Sequence, residues 1–376
     1  MIKAYKVELK LNNAQKHRCN QWMGTVRYMY NLYVQCASIY YRETTCFLSA
    51  YDFSKAYNNS KRPKFVLDVP SKSTKQAMIN GNTAFKRFFD HKADYPKRHR
   101  RQDCESFYVI DPTIKVERHR IKLPKLGWLQ LKEYGYIPTD KHIRSVTVTR
   151  KLNHYFVSVL VDEDVENTEI PNGDPLGIDV GLKNLAITSD GRMFESINRN
   201  PRIRKLTRRL KRLQRELCRR RASKRNPNGY GRNYTKTLYK IKAVRYKIAN
   251  KKRDLKLRVV QDILKSYPSY ISIEDLNIKG MMKNRHLSSA LQEQGLYEFM
   301  TMLKHECRKR NIEVRVVDRF YPSSQLCSVC GYKNPNIKNL NVRQWNCPNC
   351  STHHNRDINA AINLRESKEY EVLELI

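Results

Sequence analysis

Acidic residues are scarce in this chain. Against 73 Lys plus Arg there are only 36 Asp plus Glu, so its 376 residues carry a formal net charge of +37. A folded chain with that excess repels itself unless a polyanion neutralises it. Long apolar runs are missing too: the longest, Phe156 to Val161 with one serine, is far too short to span a bilayer. The opening Met-Ile-Lys-Ala-Tyr-Lys-Val-Glu-Leu-Lys has no apolar core, so no signal peptide is expected. The basic residues are spread over the whole chain instead of flanking an apolar segment, which disfavours a membrane surface and favours nucleic acid, with bound RNA as a permanent counter-charge. The hydrophobic fraction of 40% is modest, so the cores share the chain with much solvated or nucleic-acid-facing surface. The length admits two or three domains.

Periodicity divides the chain. Residues 2–11 alternate as a strand would, and from Asn13 to about Asn59 the pattern is helical, with Trp22, Val26, Met29, Tyr30, Tyr33 and Val34 on one face. Lys61 to Pro70 reads as a loop, Ser71 begins a second helix, and Pro96 to Arg101 is a basic break. Between Phe107 and Asp162 the period becomes two, which predicts strands at hairpin spacing and a small barrel or curled sheet. Residues 163–175 form an acidic Pro- and Gly-containing linker, the clearest domain boundary.

Beyond it, Leu176–Val180, Leu185–Thr188 and Arg192–Glu195 predict the first strands of an α/β core, with a turn at Ser189-Asp-Gly191. Pro201–Ala222 and Thr235–Ser266 predict two long basic helices joined at Asn226–Gly231. Ile203, Leu206, Leu210, Leu213 and Leu217 make an apolar seam that Leu238, Ile241, Ile248, Leu255 and Val259 can cover. The other faces of the first helix are dense in arginine, beyond what solubility requires. Arg208, Arg209, Arg212, Arg219 and Arg220 are therefore candidates for phosphate contact, although a solvated helix face has the same look. A strand at Tyr270–Glu274, a helix from about Ser288 to Asn311, a strand at Glu313–Val317 and a last helix from Asp357 follow. The final residues, Lys368–Ile376, carry no usable signal.

Three of the few acids stand out: Asp179 in Gly-Ile-Asp-Val-Gly-Leu, Glu274 in Ile-Ser-Ile-Glu-Asp-Leu-Asn, and Asp357 in Asn-Arg-Asp-Ile-Asn-Ala-Ala. Two end apolar strands and one opens an apolar-faced helix, so all three can converge on one edge of an α/β sheet, where such folds bind ligands. Bare carboxylates would repel there. Two Mg²⁺ ions, roughly 3.5–4 Å apart, would remove the repulsion and clamp a phosphodiester. Singly, an Asp before Gly at a strand end is often a turn residue; the set carries the inference. Asp275 and Asp318 read as supporting or capping residues.

Cysteine, with ten copies, is not scarce. Cys327-x2-Cys330 and Cys347-x2-Cys350, sixteen residues apart, have the spacing of a zinc ribbon or knuckle. Four thiolates close a tetrahedral site, so the zinc would be structural. His353 and His354 are rival ligands, or flank the carboxylate edge or contact nucleic acid. The other six cysteines (Cys19, Cys36, Cys46, Cys104, Cys218 and Cys307) are scattered and read as idle thiols.

These residues resemble the TnpB (OrfB) family, transposon-encoded RNA-guided DNA endonucleases related to the compact type V CRISPR effectors. The resemblance rests on Gly177–Ile187, Ile273–Met281, Tyr321–Gly331, Trp345–Cys350 and Arg356–Asn363, and more loosely on Lys6 to Gln15 and Gly24 to Asn31. It implies a multidomain α+β protein with an N-terminal wedge-like β-barrel (1–12 and 102–165) and an inserted helical recognition lobe (13–101). It implies a RuvC, ribonuclease H-like core (174–322 and 354–368), an inserted zinc-binding module (323–353) and a tail (369–376). Asp179, Glu274 and Asp357 would be the catalytic Mg²⁺ ligands, and Cys327, Cys330, Cys347 and Cys350 the Zn²⁺ ligands. A guide RNA would pair with target DNA, double- or single-stranded, with the protein a monomer or a homodimer on one RNA. Arg356 joins the arginines as a candidate nucleic-acid contact, as do the aromatics Trp22, Tyr28 and Phe85, for which core packing is the alternative. A cytoplasmic, nucleoid-associated protein is expected. Asn355 stands where many relatives have an acid. The rival functions are a nuclease-inactive RNA-guided regulator, which would have lost one of the three acids, and a zinc-ribbon transposase accessory protein, which leaves the acids unexplained.

Overall fold

The computed structural model describes residues 2–100, 105–163, 170–221, 231–339 and 341–373. The chain divides into two compact units, Met1–Glu166 and Asn167–Ile376. Cys104, the end of the basic break, residues 164–169 of the acidic linker and residues 226–230 of the expected turn lie outside the described residues.

The first unit opens with β1 (Ile2–Lys10), whose Tyr5, Val7 and Leu9 face inward at period two. Helix α1 (Asn13–Thr44) starts with a capping box: Asn12 accepts from the Gln15 backbone and the Gln15 side chain accepts in return. It stops at Thr45, in the left-handed region at φ 60°, so the predicted single helical stretch to Asn59 is two helices. The second is α2 (Ala50–Asn58), with Phe53 buried. A short α3 (Lys64–Leu67) lies within the expected loop, and α4 (Ser71–Phe89) packs on α1.

Six strands follow: β2 (Ser106–Val109), β3 (Lys115–Glu117), β4 (Arg120–Leu123), β5 (Gly127–Leu131), β6 (Ile143–Lys151) and β7 (His154–Asp162). With β1 they form one antiparallel sheet in the order β2-β6-β7-β1-β5-β4-β3. Helices and sheet share a core in which Trp22 and Phe85 are buried. Tyr28 alone of the three candidate aromatics keeps an exposed ring, 39% accessible, set edge-on to Phe65.

The second unit begins with a meander of β8 (Leu176–Asp179), β9 (Asn184–Thr188) and β10 (Met193–Glu195), turning between β9 and β10 at Gly191, φ 89°. Helices α5 (Pro201–Arg221) and α6 (Arg232–Leu264) pack as a pair on Leu206, Leu210, Leu213 and Leu217 against Ile241, Val244 and Ile248. Ile203, Leu255 and Val259, expected in that seam, instead join the main core.

Strand β11 (Tyr270–Glu274) returns parallel to β8. After α7 (Ile278–Met281) come α8 (Arg285–Gln294) and α9 (Leu296–Lys309). Sequence periodicity predicts one helix here; Gly295, left-handed at φ 67°, splits it. Strand β12 (Glu313–Val317) is parallel to β11, the hairpin β13 (Gln344–Asn346) and β14 (His353–Asn355) belongs to the cysteine segment, α10 (Arg356–Glu366) follows, and β15 (Tyr370–Val372) runs antiparallel to β12. The order is β10-β9-β8-β11-β12-β15. The fold is thus mixed α and β with several sheets.

Candidate active site and metal centre

The register of the second sheet brings two of the three acids together. Ile273 pairs with Ile178 in the parallel β8–β11 ladder, so the next residues, Asp179 and Glu274, end adjacent strands at the same edge. Neighbouring strands lie roughly 4.8 Å apart. Helix α10 carries the third acid to that edge by lying directly on β8. A Cβ on Gly177 would stand 1.8 Å from the Ala361 carbonyl oxygen, so only glycine permits this approach. Asn355 caps α10, its side chain accepting from the Asp357 and Ile358 amides. An amide performs that role without adding a fourth negative charge.

The electrostatics record the convergence. The Asp179 carboxyl is pushed up to about 7, first by burial and then by the charges of Asp357 and Glu274, with Arg356 and Arg343 opposing. Glu274 is also raised, by burial and by Asp275. Both side chains are partly covered, not sealed. Arg343, from between the two cysteine pairs, holds Asp357 in an ion pair at 3.2 Å. Nothing in the sequence singled out Arg343; it became visible only once the hairpin folded over α10. Arg356, a candidate nucleic-acid contact, is instead buried, donates to the Asn339 carbonyl and faces its charge toward Asp179. Asp275 is paired with Arg319, and Asp318 accepts from the Phe320 amide, both local supporting roles.

Ligand-atom spacing separates the two candidate metal sites. Among the described residues, only Cys327, Cys330, Cys347 and Cys350 bring three or more potential ligand atoms within 4.8 Å of one another. The second candidate is the carboxylate trio. Its donors are hard oxygens, and the Asp179 carboxyl feels the charges of both other acids, a donor set whose chemistry suits Mg²⁺.

The cysteines fit zinc closely. Cys327–Cys350 and Cys330–Cys347 sulfurs are 3.6 Å apart. That is far beyond a disulfide bond and near the ~3.8 Å edge of a tetrahedron with ~2.3 Å metal–sulfur bonds. Burial pushes the Cys327 thiol up to about 12, while hydrogen bonds from Thr352 hold Cys350 down to about 6. His354 Nε2 lies 3.1 Å from the Cys327 sulfur, and His353 bonds Asn346. The four-sulfur set is complete without either histidine. Two buried asparagines of α10 tie this centre to the acid edge. Asn359 donates to the Leu326 carbonyl and accepts from the Ser328 amide; Asn363 donates to the carbonyls of Ser323 and Leu326. An Asn pair four apart on an apolar helix face was the available signal for them.

On α5, Arg208, Arg209, Arg212 and Arg219 are exposed. Arg220 is engaged by Glu216 at 2.6 Å, Thr237 and the Asn233 carbonyl, which makes it a clamp between α5 and α6. Among the described residues, no helix is long and apolar enough to cross a membrane.

Comparison with known proteins agrees along the chain. The OrfB model of the IS605 type, described as "Probable transposase", matches residues 156–285. Its companion "Helix-turn-helix domain" matches 1–45, here a strand and one long helix. A "Cas12f1-like, TNB domain" model matches 297–364. The chain is 25% identical over 382 residues to "Putative RNA-guided DNA endonuclease InsQ" of Escherichia coli K12, covering 96% of this chain and 91% of that protein. It is 26% identical over 368 residues to "Putative RNA-guided DNA endonuclease" of Streptomyces pristinaespiralis, covering 96% and 88%. A solved Cas12f1–sgRNA–target DNA complex aligns at 14% identity and TM-score 0.38, covering 98% of this chain and all of that one. Family models match its beginning, middle and end, and curated relatives span nearly its whole length, so the chain is similar to the TnpB (OrfB) family throughout.

Proposed function

We propose that the protein is an RNA-guided DNA endonuclease that hydrolyses phosphodiesters at one RuvC-type, ribonuclease H-like site formed by Asp179, Glu274 and Asp357. The observation that carries this reading is the coupling of three acids from β8, β11 and α10 in a chain of net charge +37. Asp179, Glu274 and Asp357 would together hold the Mg²⁺ ions. When bound, those ions would supply charge neutralisation and activation of water. The protein's own part is to hold the acids at fixed spacing on two strand ends and a capped helix. Arg343 keeps Asp357 neutralised, and the cysteine centre with zinc keeps the β13–β14 hairpin at the acid edge.

In this reading the seven-stranded sheet is a wedge-like barrel and α1–α4 a recognition lobe, which together meet a short flanking duplex motif. Base pairing carries the sequence information and the protein supplies charge and shape. The exposed arginines of α5 would contact phosphate, the protein would act as monomer or homodimer on one RNA, and it would associate with the nucleoid while acting. The names of the InsQ and Streptomyces relatives support the same activity.

The test is to purify the chain expressed with its native flanking sequence and sequence the bound RNA. The complex is then challenged with a plasmid library of matched targets with randomised flanks plus Mg²⁺. Linear product with 5′-phosphate ends, next to an enriched flank and absent with Asp179→Ala, is expected. Guided binding without cleavage by the folded wild-type protein would instead identify a nuclease-inactive regulator, and absence of any discrete RNA would remove the guide from the account.

A further inference from the structure

Helix α9 presents a face that the carboxylate chemistry leaves unused. Tyr297, Thr301, Lys304, His305 and Arg308 recur at helical spacing and line a groove of about 480 Å³ that Glu274 also lines. Tyr297 is 72% exposed, large for an aromatic with no ring partner among the described residues. Ile278, Met300 and Val316 add apolar surface to the lining. Both acids of α9 are occupied on other faces: Glu298 by buried Lys256 at 2.8 Å, and Glu306 by Lys309 at 2.7 Å. Asp275, also in the lining, is paired with Arg319. What remains facing the groove is a tyrosine ring, two cations and a histidine with one carboxylate.

We propose that this groove is a binding track for a single DNA strand on its way to Glu274, with a base stacked on Tyr297 and phosphates held by Lys304 and Arg308. The chemistry matches that of single-strand binders, which combine a cationic groove with an aromatic platform. Its volume suits a small organic group, not a duplex. The inference rests on the nuclease reading, because only a strand to be cut has reason to end at Glu274.

The test uses the purified protein–RNA complex in EDTA with single-stranded DNA carrying 5-iododeoxyuridine. Irradiation is expected to crosslink the peptide containing Tyr297, a product kept by Tyr297→Phe and lost in Tyr297→Ala. Binding to Tyr297→Ala should weaken by roughly fivefold or more, the lower bound for one stacked base. The Lys304→Gln/Arg308→Gln variant should lose about 1.4 from the slope of log affinity against log salt, ~0.7 per phosphate on a single strand. Crosslinks mapping elsewhere with an unchanged slope overturn the track. RNA of the same sequence labelling Tyr297 in place of DNA overturns the assignment to DNA. A crosslink at Tyr297 in a complex that cuts no library plasmid keeps the groove and removes the nuclease. Wild-type cleavage and binding by the combined Tyr297→Ala/Lys304→Gln/Arg308→Gln variant keeps the nuclease and removes the groove.

Discussion

Asp179 carries the largest electrostatic cost of the site. Its folded pKa, about 7, stands above the 3.8 of an ordinary Asp. The stability it withholds is therefore fully present below about pH 4 and lost as pH rises through 7. At pH 8 in EDTA, Asp179→Asn should melt a few degrees above wild type, with the difference closing near pH 4. Added Mg²⁺ should raise the wild-type melting temperature and leave the variant unmoved, as followed by calorimetry. Equal melting curves at pH 8 would mean that the three charges do not meet. The three acids stood out in sequence because two end apolar strands and one opens an apolar-faced helix in a chain poor in acids. Arg343 and the buried state of Arg356 were not, since both depend on how a hairpin far from any periodic pattern lies over α10. Asn355 shows the limit from the other side: its departure from the family pattern was visible, while its cap on α10 is a matter of backbone geometry.

Elements with strong periodicity were read well, and short ones were not. Strands β3 and β15 have three residues each, too few for alternation to register, and the α8–α9 break depends on one left-handed glycine. Strand β1 is a better guide to what joins elements, for it lies between β7 and β5, more than a hundred residues away. Its Glu8 accepts from Lys132, just past β5, at 2.8 Å and meets His154 of β7 at 2.6 Å. Burial works against ionised Glu8, but those two bonds outweigh it and hold the carboxyl below its usual range. A lowered folded pKa gives stability that is present above about pH 4.5 and lost as pH falls through the folded value. Glu8→Gln should therefore cost about 0.5–1 kcal/mol at pH 7 and flatten the acid limb of the denaturation profile. An acid limb identical to wild type would remove Glu8 from that account. The cysteine centre makes the parallel case for a metal. Cys347→Ser should release zinc, measurable by elemental analysis, and lower the melting temperature, because in small modules metal binding is effectively folding energy. Through Asn359 and Asn363 the loss should reach the acid edge and lower cleavage as well. Undiminished stability in a zinc-free variant would detach the centre from the fold.

At the scale of the whole molecule the balance of charge decides how the protein can exist. The net charge of +37 is spread through both units, and the exposed arginines of α5 have few acids to answer them. Salt bridges cannot absorb the excess, since 73 basic residues face 36 acidic ones and many of the pairs observed are solvent-exposed, where water and salt screen them. The remaining repulsion must be screened by salt or neutralised by a bound polyanion. The Debye length falls from roughly 10 Å at 0.1 M to 3 Å at 1 M, so screening should replace RNA only at high salt. Chain stripped of nucleic acid with ribonuclease and 1 M NaCl should melt several degrees lower on return to 50 mM NaCl, and recover either at 500 mM NaCl or with its own RNA. The RNA should act at low salt, where a neutral crowding agent has no effect, and its affinity should fall steeply and linearly in log salt as counterions are retained. A stripped chain whose melting temperature is the same at 50 and 500 mM NaCl would show that the fold tolerates its own charge, and RNA would then be a ligand for function alone.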